Sequence, residues 1–79
     1  MTITGRQIRE ARALLGLHRS TLAARVRSVT TATIMRAELV DDEPPITTAQ
    51  GTAIQQVLER AGVEFTSDPP SVRLREVEP

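Results

Sequence analysis

Apolar residues along this chain recur every three or four positions over four separate stretches, and they alternate strictly near the end. The four stretches cover about 4–15, about 18–27, 31 to about 39 and about 48–61. A period near 3.6 residues is typical of a helix with one buried face. The pattern therefore predicts four amphipathic helices followed by a different kind of element.

Signals at the ends of the first and last stretches support these limits. Thr4 precedes Gln7, and Thr47 precedes Gln50, by the three residues that a capping box requires. A glycine, which readily takes the left-handed conformation that ends many helices, follows both stretches, at positions 16 and 62. The acidic segment 41–45, with two prolines, interrupts the helical pattern and is predicted to be a loop.

The alternating pattern follows position 62 and predicts a β-hairpin. Residues 63–66 and 72–75 alternate, and the polar, proline-containing segment 67–70 is the expected turn. The predicted apolar face consists of Val63, Phe65, Val72 and Leu74. Since a two-stranded ribbon is marginal alone, it must pack on the fourth helix or pair with another chain. We divide the chain into a helical domain, 1–62, and a hairpin with its tail, 63–79.

The composition limits the function classes that the chain can support. A chain of 79 residues buries only about 60% of its surface on folding, which favours assembly with a second copy. It has no cysteine and a single histidine, His18, which we expect on the surface without an acid–base constellation around it. We therefore expect no metal, no cofactor and no enzymatic activity. No apolar run could span a membrane and no leader pattern opens the chain, so a soluble cytoplasmic protein is expected.

The net charge is zero, but it is distributed unevenly. Residues 1–36 contain seven arginines and one glutamate, a net charge of +6, whereas residues 37–79 contain three arginines and nine acidic residues, a net charge of −6. Such asymmetry points to nucleic-acid contact, although an ordinary solvated mixture of charges is the alternative explanation. Every basic residue is arginine, the side chain best suited to bidentate contact with phosphate or guanine.

Two charged residues fall on the predicted apolar faces of helices. Arg12 lies four residues after Ile8 in the first helix, and Glu38 lies four residues after Ile34 in the third. An unpaired charge on a buried face is costly. We therefore predict an ion pair between Arg12 and Glu38 that ties the first helix to the end of the third.

The second and third predicted helices are separated by only a short connection, Arg27-Ser28-Val29, after which Thr30 occupies a capping position. Two helices joined so closely cross steeply and present the second one outward, which is the helix-turn-helix arrangement. The segment 22–39 reads LAARVRSVTTATIMRAEL.

Several residues of this region have a spacing found in one family. Leu22-Ala23 and Val26, the run Thr30-Thr31-Ala32-Thr33-Ile34, Glu38, and Arg12 four residues before Gly16 together resemble the Cro/repressor-type (XRE-type) helix-turn-helix DNA-binding protein family. The resemblance extends over about residues 3–63. One feature departs from the family, which usually has a single glycine in the turn. Here the turn is one residue longer and contains Arg27-Ser28 in its place.

The resemblance implies a mainly α, compact four-helix bundle with a lambda-repressor-like helix-turn-helix, to which the alternating pattern adds the C-terminal β-hairpin. It also implies a homodimer bound to double-stranded DNA as a transcriptional regulator, usually a repressor. The residues that the resemblance places at the DNA are Thr31, Ala32 and Arg36 at base edges, and Arg19, Thr30 and Thr33 at phosphates.

An alternative function remains open at the level of the sequence. The neutral total charge, the longer turn and the acidic second half of the chain also fit a protein-interaction module, such as the antitoxin of a toxin–antitoxin pair. In that case the acidic half would bind a protein partner, and DNA binding would be secondary or lost.

Overall fold

A computed structural model of the protein describes residues 3–75. The last four residues of the predicted tail, 76–79, lie outside this range. The described part contains four helices and a two-stranded antiparallel sheet: α1 Gly5–Leu15, α2 Arg19–Val26, α3 Thr31–Glu38, α4 Thr48–Arg60, β1 Val63–Ser67 and β2 Pro70–Leu74. The prediction of a mainly helical fold with a C-terminal hairpin is confirmed. Within residues 3–75, none of the helices combines the length and the apolar character that crossing a bilayer requires.

The predicted capping boxes define the starts of α1 and α4. In α1 the Thr4 hydroxyl accepts from the Gln7 amide at 3.0 Å, and the Gln7 side chain accepts from the Thr4 amide at 2.9 Å. Thr47 and Gln50 repeat this exchange at the start of α4. The cap residue of α2, His18, makes no such side-chain bond, which agrees with the poor capping ability of histidine. Local sequence therefore sets where α1 and α4 begin.

One apolar core joins all four helices and the hairpin. Its large, fully buried aliphatic side chains are Ile3, Ile8, Leu22, Ile34, Ile54, Leu58 and Val63. Each contributes roughly 1.5–3 kcal/mol through removal from water. Because Val63 is the first residue of β1, the core continues across the predicted boundary at position 62 into the hairpin.

The hairpin pairs the four residues of the predicted apolar face with one another, with Val63 opposite Leu74 and Phe65 opposite Val72. Its turn is tighter than predicted, because Ser67 and Pro70 belong to the strands and only Asp68 and Pro69 connect them. The peptide bond between these two residues is cis. Phe65 and Val72 pack against the helical core, so the ribbon gains the support that it lacks alone.

A buried glutamine fastens the hairpin to α1. The Gln7 side-chain amide donates to the backbone oxygens of Thr66 at 2.8 Å and Ser71 at 3.0 Å. The same side chain closes the α1 capping box through its oxygen, and only 2% of Gln7 is exposed. Gln7 therefore stabilises both the start of α1 and the docking of the two strands.

The acidic loop after α3 packs on the start of α1. The backbone amides of Gly5 and Arg6 donate to the carbonyl oxygens of Asp42 and Asp41 at 2.9 and 3.3 Å. The first amides of a helix have no partner within it, so this loop satisfies two of them. Gly5 also lies so close to the carbonyl oxygens of residues 37 and 40 that a β-carbon there would collide with them.

Candidate nucleic-acid interface

The candidate interface is built on α2, α3 and the four residues between them. α2 ends at Val26, and α3 begins after its cap residue Thr30. Val29 is 8% exposed and belongs to the core, so it anchors the connection from below, as its position predicts. Arg27 has a φ of +71° and a ψ of −33°. The longer turn therefore places an arginine in a backbone conformation that favours glycine.

α3 has one buried face and one exposed face. Ile34, Ala37 and Glu38 are buried. The exposed side chains are Thr31, Ala32, Met35 and Arg36. These are the two faces that the apolar pattern predicts. Three of the four exposed residues are the predicted base-contacting set.

The start of α3 is closed by two threonines. The Thr30 hydroxyl accepts from the Thr33 amide at 3.2 Å, the Thr33 hydroxyl accepts from the Thr30 amide at 3.3 Å, and the two hydroxyls lie 2.9 Å apart. Thr30 has the predicted capping role. Since both hydroxyls already serve the cap, any phosphate contact by Thr30 or Thr33 would have to share them. The amides of the first turn add a partial positive charge at this end of α3.

A buried carboxylate holds α3 against α1 and α2. Glu38, 4% exposed, accepts from Arg12 at both oxygens, Nε to Oε2 at 2.8 Å and Nη2 to Oε1 at 3.1 Å. The pair predicted between Arg12 and Glu38 is present in this bidentate geometry, the strongest arrangement for these groups. Arg12 also donates Nη1–H to the carbonyl oxygen of Leu17 at 2.9 Å. Both members of the pair are thus hydrogen-bonded, which offsets the penalty of burying them.

Arg19, predicted at a phosphate, has a different contact. Its Nε donates to Oε1 of Glu38 at 3.0 Å, on the inner side of α3. Arg19 has no described contact with the predicted base-contacting residues Thr31, Ala32 and Arg36. Its side chain remains 44% exposed, so part of the guanidinium still faces solvent at the start of α2. Arg19 is thus primarily a member of the ion-pair cluster that Arg12, Arg19 and Glu38 form.

Arg9 has a structural role that its sequence context does not indicate. Its Nη1 donates to the Glu38 carbonyl oxygen at 2.9 Å, and its Nη2 lies 3.0 Å from the Asp41 carboxylate. Arg9 therefore holds the acidic loop at the C-terminal end of α3. α3 has eight residues, which corresponds to a length of about 12 Å. The loop acids are thus tied to the end of α3 opposite Thr30.

Unpaired basic residues remain near the α2–α3 connection. Among residues 3–75, ion pairs involve Arg6, Arg9, Arg12, Arg19 and Arg73. Within the same range Arg25, Arg27 and Arg36 form none, and all three are exposed. Arg25 also lines a shallow groove with Arg60, another arginine without an ion pair in the described part. Of the five arginines without an ion pair in residues 3–75, three therefore lie on α2, the connection and α3, and two, Arg60 and Arg75, lie elsewhere.

The described residues contain no group of three histidine or acidic side chains that could hold a metal ion. His18 is exposed at the start of α2. No protein-family model matches the chain, and no curated protein matches it significantly. A functional interpretation must therefore rest on the geometry of α2 and α3.

Proposed function

We propose that the protein is a sequence-specific double-stranded DNA-binding regulator of transcription, acting as a cytoplasmic homodimer through α2 and α3. In this proposal the two helices form a helix-turn-helix of the lambda-repressor-like kind, and α3 is the recognition helix. Repression by occupying a promoter is the simplest mechanism for this proposal.

One observation carries the proposal. α3 is fixed on its inner side by Ile34, Ala37 and the Glu38 ion pairs, while its outer side exposes Arg36 without an ion-pair partner in the described part. A rigid short helix with an exposed, uncommitted arginine is suited to entering a major groove. An exposed arginine would be ordinary on any protein, but here it shares a face with two small side chains that permit close approach.

The side chains of this face match the chemistry of base edges. The guanidinium of Arg36 can donate to O6 and N7 of guanine, while the methyl groups of Thr31 and Ala32 can contact a thymine methyl. The α3 amides and the arginines near the connection would contact phosphates and set the register of the helix. A dimer would place two copies of α3 in successive major grooves, about 34 Å apart.

The acidic loop is compatible with this arrangement. Asp41 is paired with Arg9 and the loop backbone is bonded to the start of α1. These contacts hold the loop and the Asp41 carboxylate at the far end of α3, about 12 Å along the helix from Thr31. Phosphates near the start of α3 would therefore lie closer to the unpaired arginines of this region than to the acidic loop.

The test is selection of duplexes from a random-sequence pool, followed by anisotropy titrations of the enriched duplex and a scrambled one at about 50 and about 200 mM salt. We expect selective binding that weakens steeply with salt. Arg36→Ala should reduce discrimination between the two duplexes about tenfold or more, the effect of losing one bidentate base contact. Arg73→Ala is the matched control, since Arg73 is exposed on the hairpin and paired with Glu64. Absence of an enriched duplex, with weak binding even at low salt, would overturn the proposal.

A second candidate function is a protein-interaction module of the antitoxin kind. The observation that favours it is the apolar pair Leu39 and Val40, 78% and 38% exposed, directly before the acidic loop. A partner with an apolar and basic surface could bind there. The distinguishing result is a stoichiometric protein partner that Leu39→Asp releases, together with no duplex enriched by selection.

A further inference from the structure

Arg27 has a backbone conformation that its side chain does not favour. Its φ of +71° is the only positive φ of a non-glycine residue in the described part of the chain. Its ψ of −33° also departs from the left-handed helical region, which is centred near +47°. Glycine adopts such a conformation without a β-carbon clash, whereas arginine is strained in it.

No contact within residues 3–75 accounts for an arginine at this strained position. The Arg27 side chain is exposed and forms neither an ion pair nor a side-chain hydrogen bond there. Its backbone amide caps α2 by donating to the Ala23 carbonyl oxygen at 2.9 Å, a bond that glycine would make equally well. The fold therefore needs the conformation at position 27 but does not need the arginine.

Strain of this kind persists in proteins where it serves a site. We propose that Arg27 is a phosphate-binding residue of the DNA interface, and that the turn has an arginine in place of glycine to supply this contact. The inference rests on the function proposed above and adds a residue that the resemblance does not place at DNA. The ligand chemistry is a backbone phosphate, because Arg27 lies on the connection and not on α3, the helix proposed to enter the groove.

The position of Arg27 supports this assignment. It lies three residues before Thr30, so their α-carbons are at most about 11 Å apart. Val29 between them is buried and anchors the connection. Arg25, two residues earlier in the last turn of α2, is also exposed and without an ion pair in the described part. Arg27 would thus contact the DNA strand that runs beside the first turn of α3.

Three variants separate the strain from the charge. Arg27→Gly removes both, Arg27→Ala keeps the β-carbon and removes the charge, and Arg27→Lys keeps the charge. We expect Arg27→Gly to raise the midpoint of thermal unfolding by about 4 °C, and the other two to change it little. Arg27→Gly and Arg27→Ala should both weaken binding to the selected duplex about tenfold. Arg27→Lys should bind nearly as well as the wild type.

The salt dependence identifies the contact as a phosphate. Loss of one phosphate contact lowers the slope of log K against log salt by about 0.9, or about 1.8 for a dimer that loses one in each subunit. Discrimination against the scrambled duplex should not change, in contrast to Arg36→Ala. If the wild type binds its duplex and Arg27→Ala binds with the same affinity and slope, the Arg27 assignment is wrong while the proposed function stands. If the wild type selects no duplex, both are wrong.

Discussion

Arg19 donates its Nε–H to Oε1 of Glu38 at 3.0 Å, which ties the first residue of α2 to the last residue of α3. The same carboxylate accepts two bonds from Arg12 of α1. One buried acid therefore fixes three helices relative to one another. The exposed face of α3 owes its orientation to this cluster as well as to apolar packing, because Glu38 and Ile34 lie on the same inner side.

Removal of the shared carboxylate should be strongly destabilising. Glu38→Ala leaves the partly buried guanidinium of Arg12, 17% exposed, without a counter-charge. We expect the free energy of unfolding to fall by about 3 kcal/mol or more, as for other buried pairs that lose one partner. Urea denaturation followed by circular dichroism measures the change.

The control is the exposed pair between Glu64 and Arg73, whose closest atoms are 3.5 Å apart. Glu64→Ala should change the free energy of unfolding by less than about 1 kcal/mol. A double-mutant cycle of Arg12→Ala with Glu38→Ala should also be non-additive. The double variant should lose less free energy of unfolding than the sum of the losses of the two single variants. Equal effects of Glu38→Ala and Glu64→Ala would contradict the role of the cluster.

Gln7 should contribute more to stability than its capping role alone accounts for. Gln7→Glu keeps the oxygen that closes the capping box but loses the amide that donates to Thr66 and Ser71. It also places a carboxylate against two carbonyl oxygens in a buried site. We expect the free energy of unfolding to fall by about 2 kcal/mol, measured by urea denaturation.

The chain contains a matched control for this change. Gln50 occupies the same capping-box position in α4, and its described hydrogen bonds are those to Thr47. Gln50→Glu should be neutral or slightly stabilising, since a negative charge near a helix N-terminus is favourable. If both substitutions have the same effect, the bonds from Gln7 to the hairpin do not contribute to stability.

The elements that local sequence determines were predictable. The three-residue spacing of Thr4 and Gln7 sets the start of α1 whatever the rest of the chain does. The pair of Arg12 and Glu38 was predictable for a related reason, since each is a charge on a helical face that must be buried. The alternation after position 62 likewise indicated the hairpin and the four residues of its apolar face.

Contacts that depend on the three-dimensional arrangement were not predictable. The capping role of Gln7 is visible in the sequence, but its bonds to Thr66 and Ser71 cross more than fifty residues. Arg9 and Arg19 have the same kind of sequence context as any exposed arginine, so nothing local assigns them to Glu38. The glycine that the resembled family usually has in this turn was the one signal of the positive φ at Arg27.

Gly5 should not tolerate a side chain, for a reason of space. A β-carbon at Gly5 would collide with the carbonyl oxygens of Ala37 and Val40, which are backbone atoms at the end of α3. We expect Gly5→Ala to lower the free energy of unfolding by about 1–3 kcal/mol, the usual range for overpacking. Thermal unfolding monitored by calorimetry measures it, and an unchanged or higher midpoint would contradict the close approach of α1 to α3.

In the proposed homodimer, we expect the second copy of the protein to bind at the groove between α1 and β2. Leu14, 43% exposed, lines this groove with Val72. The Arg75 amide donates to the Gly62 carbonyl oxygen across the ribbon. Hydrogen-bonded and non-hydrogen-bonded pairs alternate along an antiparallel ribbon, so Val72, three residues before Arg75, belongs to a non-hydrogen-bonded pair and its amide points away from β1.

A strand from a second copy could pair with that open edge and cover Leu14, so Leu14→Arg should convert a dimer to a monomer in sedimentation velocity experiments. The control is Met35→Arg, since Met35 is 47% exposed on the far face of α3 and should leave the dimer intact. Equal dimerisation of both variants would place the dimer contact elsewhere. A monomeric wild type would remove the dimer from the proposed mechanism.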